Sequence, residues 1–109
     1  MFLMFETHNE TEVRADGTCL QGYIDATYQE LIDVFGEPTE SDGYKVDAEW
    51  LLEFEDATVA TVYNWKNGLN YCGAEGTPVE YITRWNVGGK RGTGTETKIK
   101  QILKHRRQK

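Results

Sequence analysis

Residues 48–65, AEWLLEFEDATVATVYNW, constrain the fold of this chain more than any other stretch. Ala48, Trp50, Leu52 and Phe54 alternate with Glu49, Leu51, Glu53 and Glu55, the two-residue period of a strand with one buried and one wet face. Asp56-Ala57 interrupts the run, after which Val59, Thr61, Tyr63 and Trp65 restore the period. Folding the arms about a two-residue loop at Asp56-Ala57 pairs Phe54 with Val59, Leu52 with Thr61 and Trp50 with Tyr63. That register collects the large aromatics on one face. It leaves Glu49, Glu53 and Glu55 on the other, beside Leu51 and Val62, with Asp56 at the tip.

The rest of the chain supplies partners for this hairpin. Residues 2–5 and about 18–24 are short strand candidates, separated by a polar stretch containing Asp16-Gly17. Thr27-Tyr28-Gln29-Glu30 fits a capping box, in which Thr27 and Glu30 satisfy each other's free amides. Tyr28, Leu31, Ile32 and Phe35 follow at helical spacing, and Gly36 and Pro38 end the helix, predicting it over about 27–36. Lys66 to Pro78 is a loop rich in Gly and Asn, long for a hairpin connection. Val79, Tyr81, Thr83, Trp85 and Val87 alternate as a third long strand, and Gly88 to Gly94 reads as a flexible basic linker. In residues 95–108, Ile99, Ile102 and Leu103 form one stripe among lysines and arginines, the pattern of a basic amphipathic helix. The order predicts an α+β fold: an antiparallel sheet of about four to five strands with a short helix and a C-terminal helix packed on it. Residues 1–94 form one domain, and 95–109 a basic helix that packs on it or engages a partner.

Charge is distributed unevenly along the chain. Residues 1–89 hold 17 acidic against four basic side chains, a charge of −13, whereas residues 90–109 hold eight basic side chains against Glu96, a charge of +7. A body this acidic repels nucleic acid and is steered toward basic partners, so nucleic acid is expected only through the C-terminal tail. The two cysteines, Cys19 and Cys72, are far apart with no metal-knuckle spacing, which points to a reducing compartment. No stretch has the length and apolarity of a membrane span, so no membrane contact is expected.

No catalytic constellation stands out, and neither an enzyme nor a bound cofactor is expected. His8 and His105 have no neighbouring ligand at metal spacing and read as solvent-exposed. Cys72, in the Gly-rich loop, is the one cysteine expected to be accessible, but no base is adjacent to it. Glu49, Glu53, Glu55 and Asp56 form a carboxylate row that reads either as a solvated sheet face or as a surface for docking a basic groove. Lys90, Arg91 and Thr93 sit in a Gly-rich segment before a helix, where phosphate is commonly cradled, but the segment lacks the P-loop pattern. With Tyr71 or Trp85 to stack on a base, they are the candidate residues for a nucleotide ligand.

Three blocks carry a family resemblance: GYIDATYQELIDVFGEP at 22–38, AEWLLEFEDATVATVYNWK at 48–66 and RWNVGGK at 84–90. In this order they resemble a family of small accessory proteins encoded by bacteriophages and prophages. Where that family carries Asp-Gly in the hairpin turn, this chain has Asp56-Ala57. The resemblance implies action in the cytoplasm of an infected bacterium, often against host defences, and brings no catalytic residue with it. The leading expectation is a non-enzymatic protein that binds and inhibits a host defence protein, such as a CRISPR effector, through Glu49, Glu53, Glu55 and Asp56. The alternatives are a small-molecule sponge for a nucleotide immune signal and a nucleic-acid-binding module built on the C-terminal helix. A homodimer through the edge of the strand that follows the 66–78 loop is also compatible with the pattern.

Overall fold

A computed structural model describes residues 5–7 (backbone alone), 19–39, 47–54, 58–65 and 72–108. The strands are β1 (Phe5–Thr7), β2 (Cys19–Asp25), β3 (Glu49–Phe54), β4 (Val59–Tyr63) and β5 (Arg84–Gly89). They form one antiparallel sheet in the order β1-β3-β4-β5-β2. Helices α1 (Tyr28–Phe35) and α2 (Thr95–Arg107) cover one face, giving the expected α+β architecture in two layers. No helix among the described residues is long and apolar enough to cross a membrane.

The hairpin exists, but its register differs by one residue from the spacing-based expectation. Trp50 pairs with Val62, Leu52 with Ala60 and Glu49 with Tyr63. The Phe54 amide donates to the Thr58 carbonyl at 2.8 Å, so three residues rather than two separate the arms. A shift of one residue exchanges the faces of a whole strand. Ala60 and Val62 are therefore fully buried with Trp50 and Leu52, whereas Thr61 and Tyr63 lie on the Glu49 face. Trp65 follows Tyr63 at a spacing of two and is 46% exposed, so only two of the three tryptophans are core residues. Steric fit explains the choice. Trp50 and Trp85 meet edge to face at 5.4 Å over the centre of the sheet, and the small Ala60 and Val62 of the intervening strand fit beneath them.

These two tryptophans also hold α1 at both ends. The Trp85 indole N–H donates to the Ala26 carbonyl at 3.0 Å, just before the helix, and the Trp50 indole N–H donates to the Gly36 carbonyl at 2.7 Å, just after it. Tyr28 fills the space between them, 5.9 Å from Trp50 and 6.3 Å from Trp85. The expected cap is present: the Glu30 amide donates to Thr27 Oγ1 at 3.0 Å. Gly36 takes φ 84°, a positive value that favours glycine, and its amide donates to the Ile32 carbonyl.

The remaining differences lie around β5. Val79–Tyr81 is a 3₁₀ turn rather than the start of a strand, and the strand continues through Gly88 and Gly89, which the sequence pattern assigns to a linker. Glycine is needed there because the backbone is approached closely. A Cβ at Gly89 would lie 2.5 Å from Thr95 Oγ1, and one at Gly88 would collide with Thr61 Oγ1. Because β5 is flanked by β4 and β2, it has no free edge of the kind expected for strand pairing between copies. The edges belong to β1 and β2. On β2 the Gln21 amide reaches the Cys19 and Leu20 carbonyls, and the Arg107 guanidinium reaches the Asp25 carbonyl at 2.7 Å.

The C-terminal helix packs in cis: Thr95, Ile99, Ile102 and Leu103 are buried against the sheet. Its last turn is tied to α1, with Arg107 Nε donating to Glu30 Oε2 at 2.6 Å and Nη2 to Oε1 at 2.8 Å. This bidentate pair holds the Glu30 carboxyl below its ordinary range, through the Arg107 hydrogen bond first and then its charge and the Thr27 amide, against some desolvation. A depressed folded-state value stabilises the protein above pH 4.5, the ordinary carboxylate value, and that contribution disappears as pH falls through the folded-state value. Arg107→Gln is expected to remove about 1 kcal/mol or less near neutral pH, since Arg107 is 49% exposed and screened. Its stability difference from wild type should shrink in urea titrations as pH falls through the Glu30 folded-state value, leaving the part due to the bond to the Asp25 carbonyl.

Candidate functional site

The face opposite the helices carries the features most unlike a core. Reading across the paired strands, Glu49 on β3 opposes Tyr63 on β4, Tyr63 opposes Asn86 on β5, and Asn86 opposes Tyr23 on β2. A second row runs Leu51, Thr61, Gly88, Leu20, and Glu53 opposes Val59 at one corner. Along this face Leu20 is 46% exposed, Tyr23 41% and Trp65 46%, while Leu51, Val59 and Tyr63 are half-buried. Large apolar side chains left in contact with solvent on a sheet face are a common mark of a binding surface.

The geometry of the row is specific. Tyr63 and Trp65 meet edge to face, with ring centroids 6.3 Å apart and planes at 84°. The Arg84 guanidinium lies over the Tyr23 ring, 4.1 Å from its centroid. The Tyr63 hydroxyl is held above its ordinary value by burial first; the Asn86 hydrogen bond opposes the shift, and the Glu49 charge adds to it. The frame beneath is stiff. Asn64, fully buried, accepts the Asp47 amide at 2.7 Å and the Ala48 amide at 3.1 Å, while its own N–H₂ donates to Asp47 Oδ1 at 2.9 Å. These bonds fix the start of β3 to the end of β4, next to Trp65.

Two residues of the expected acidic row, Glu49 and Glu53, lie on this face and are half-buried. The other two, Glu55 and Asp56, lie outside the described residues. The neighbours differ from those expected: Tyr63 replaces Val62 beside the carboxylates, because of the register shift. Tyr23, Leu20 and Trp65 are the site residues that spacing missed. For Trp65 the signal in the sequence was the run Ala60, Val62, Asn64, whose smaller side chains fit the crowded position beneath Trp50 and Trp85.

The nucleotide candidates are not brought together in the expected way. Trp85 is fully buried, with its indole N–H on the Ala26 carbonyl, so it offers no face to a base. Tyr71 lies outside the described residues. Lys90 and Arg91 are exposed, and Thr93 Oγ1 donates to the Lys90 carbonyl at 2.6 Å, closing the turn on itself. Gly94 caps α2 without a side-chain bond, and the first turn carries Glu96, an unfavourable neighbour for phosphate. Several tail cations are engaged within the chain: Lys100 with Glu96 at 3.0 Å, Lys98 over the Phe54 ring at 5.0 Å, and Arg107 with Glu30.

Cys19 and Cys72 are both exposed and neither is in a disulfide, and His105 is half-buried rather than fully exposed; His8 lies outside the described residues. Among the described residues no group of three or more His, Cys, Asp or Glu side chains is arranged to hold a metal ion. An open groove of about 440 Å³ runs between the start of α1 and the end of α2, lined by Gln29, Asp33, Val34 and Arg106 and crossed by the Arg107–Glu30 pair. Compared with known proteins, the chain matches no family model, no curated protein and no solved structure.

Proposed function

We propose that this chain is a non-enzymatic binding protein that docks the sheet face opposite the helices onto a basic surface of another protein. The observation that carries this is the pairing of exposed Leu20, Tyr23 and Trp65 with Glu49 and Glu53 on one side of the sheet, the helices occupying the other. Apolar and aromatic contacts supply the area, and the anionic body, −13 over residues 1–89, steers a cationic partner and selects against anionic ones. The phage-like sequence blocks suggest the biological setting: an accessory protein acting in a bacterial cytoplasm as an inhibitor of a host defence protein. Nucleic-acid-handling defence factors such as CRISPR effectors carry basic grooves of the kind that this surface complements.

Reversing charge at Glu49→Lys and Glu53→Lys tests the proposal. The affinity-tagged protein is expected to retain a basic protein from bacterial lysate, and the double variant to lose it while keeping the wild-type circular dichroism spectrum. Retention of the same protein by a correctly folded double variant would rule out the acidic face.

A further inference from the structure

We infer that α2 and the turn leading into it form a contact surface for the phosphate backbones of a nucleic-acid duplex. This surface lies on the helical layer, away from the face proposed to dock a basic protein, and stands independently of that docking.

The helix has already used its apolar side. Thr95, Ile99, Ile102 and Leu103 are buried against the sheet, so Thr97, Gln101, Lys104 and Gln108 lie on the outward side and are exposed. Cations gather toward its two ends. Lys90 and Arg91 are exposed in the turn before it, and Lys104 and Arg106 are exposed near its close. Among the described residues none of these four side chains enters an ion pair or a hydrogen bond. Lys100 and Arg107 differ, being held by Glu96 and Glu30.

The spacing suits a duplex. From Gly94 to Lys104 the helix rises about 15 Å, at roughly 1.5 Å per residue. The major groove of a duplex is about 12 Å wide, so a helix laid across it brings one cation pair to each flanking backbone. Between the pairs, Thr97 and Gln101 are neutral donors of the kind that meet phosphate and sugar oxygens.

Other anionic partners fit less well. A membrane surface takes up an amphipathic helix through its apolar stripe, which here is buried. A single strand is held by stacking its bases on aromatic rings, and the exposed rings Tyr23, Trp65 and Tyr81 all lie off α2. An acidic protein draws affinity from apolar or aromatic anchors, whereas the outward side of α2 carries only polar and basic side chains. Phosphate backbones need only cations and polar donors. The charge of −13 over residues 1–89 repels a duplex elsewhere and confines it to this side.

Fluorescence anisotropy of the full chain with a labelled duplex of about 20 base pairs tests the inference. Binding is expected at about 50 mM salt, with log K falling against log salt at a slope of about −3 to −4, from roughly −0.9 per phosphate contact. Lys90→Gln with Arg91→Gln, and separately Lys104→Gln with Arg106→Gln, are each expected to bring the slope to about −2 and to weaken binding at that salt roughly 10- to 200-fold. Both double variants alter exposed side chains and are expected to keep the wild-type urea midpoint. The corresponding single strand, phosphatidylserine vesicles and nona-glutamate are expected to bind at least about tenfold more weakly than the duplex. No duplex binding at about 50 mM salt, a slope unchanged in either folded double variant, or equally tight binding of any of the three other probes overturns the inference. None of these results bears on the sheet face, which the Glu49→Lys and Glu53→Lys variants test.

Discussion

Trp85→Ala is expected to lower stability by about 3–5 kcal/mol, the cost of a large aromatic removed from a core that cannot close over the cavity. Trp85 is fully buried on central strand β5, with an edge-to-face partner in Trp50 and a near-parallel one in Tyr28. The neighbouring core side chains Val62, Val87 and Leu31 are all fully buried, so the void has no loose group to fill it. Trp85→Phe separates two contributions. It keeps most of the ring volume but leaves the Ala26 carbonyl without its indole donor, for an expected loss of about 1–3 kcal/mol. Because that carbonyl precedes the Thr27 cap, the loss should appear as early fraying of α1 in hydrogen exchange as well as a lower urea midpoint. A Trp85→Ala protein within about 1 kcal/mol of wild type would mean that Trp85 is not a core residue.

Deleting residues 95–109 is expected to abolish cooperative unfolding altogether. On charge alone this segment looks like a detachable basic tail. In the fold it contributes Ile99, Ile102 and Leu103 to the helical cover over β2 and β5. At about 1.5–3 kcal/mol per buried aliphatic side chain, the three supply a stabilisation comparable with the whole net stability of a typical domain. The truncated chain should show a broad, non-cooperative urea transition and bind hydrophobic dyes. Leu103→Ala, a milder change, is expected to cost about 2–5 kcal/mol while preserving a cooperative transition. A truncated protein that unfolds sharply at the wild-type midpoint would show that α2 is an appendage. Loss of partner binding on truncation therefore reports loss of fold, and charge substitutions such as Glu49→Lys are the sound tests of the surface.

The sequence was most legible where a local rule had one solution. The Thr27–Glu30 cap and the Gly36 stop delimit α1 within a residue or two of where it lies, because capping chemistry acts within one turn. The stripe of Ile99, Ile102 and Leu103 likewise marks the buried side of α2. Legibility failed where two local solutions were nearly equal. Along 59–65, one face offers Val59, Thr61, Tyr63 and Trp65, and the other Ala60, Val62 and Asn64; larger aromatics favour the first as core. The loop could absorb either choice, since two or three residues close a hairpin. Burying the first set would have placed Tyr63 where Trp50 and Trp85 already meet, which the packed interior excludes.

By itself the sequence determined the α+β class, both helices with their buried stripes, the existence of the hairpin and the acidic character of one of its faces, because periodicity, capping and charge are local properties. The tertiary structure alone decided which residues share that acidic face. Two tryptophans from strands on either side of β4 bracket α1 and fill the core, so β4 must bury its small side chains and turn Tyr63 and Trp65 outward, beside Glu49. The candidate binding surface is thus a by-product of core packing, and no spacing rule within the hairpin contains that information.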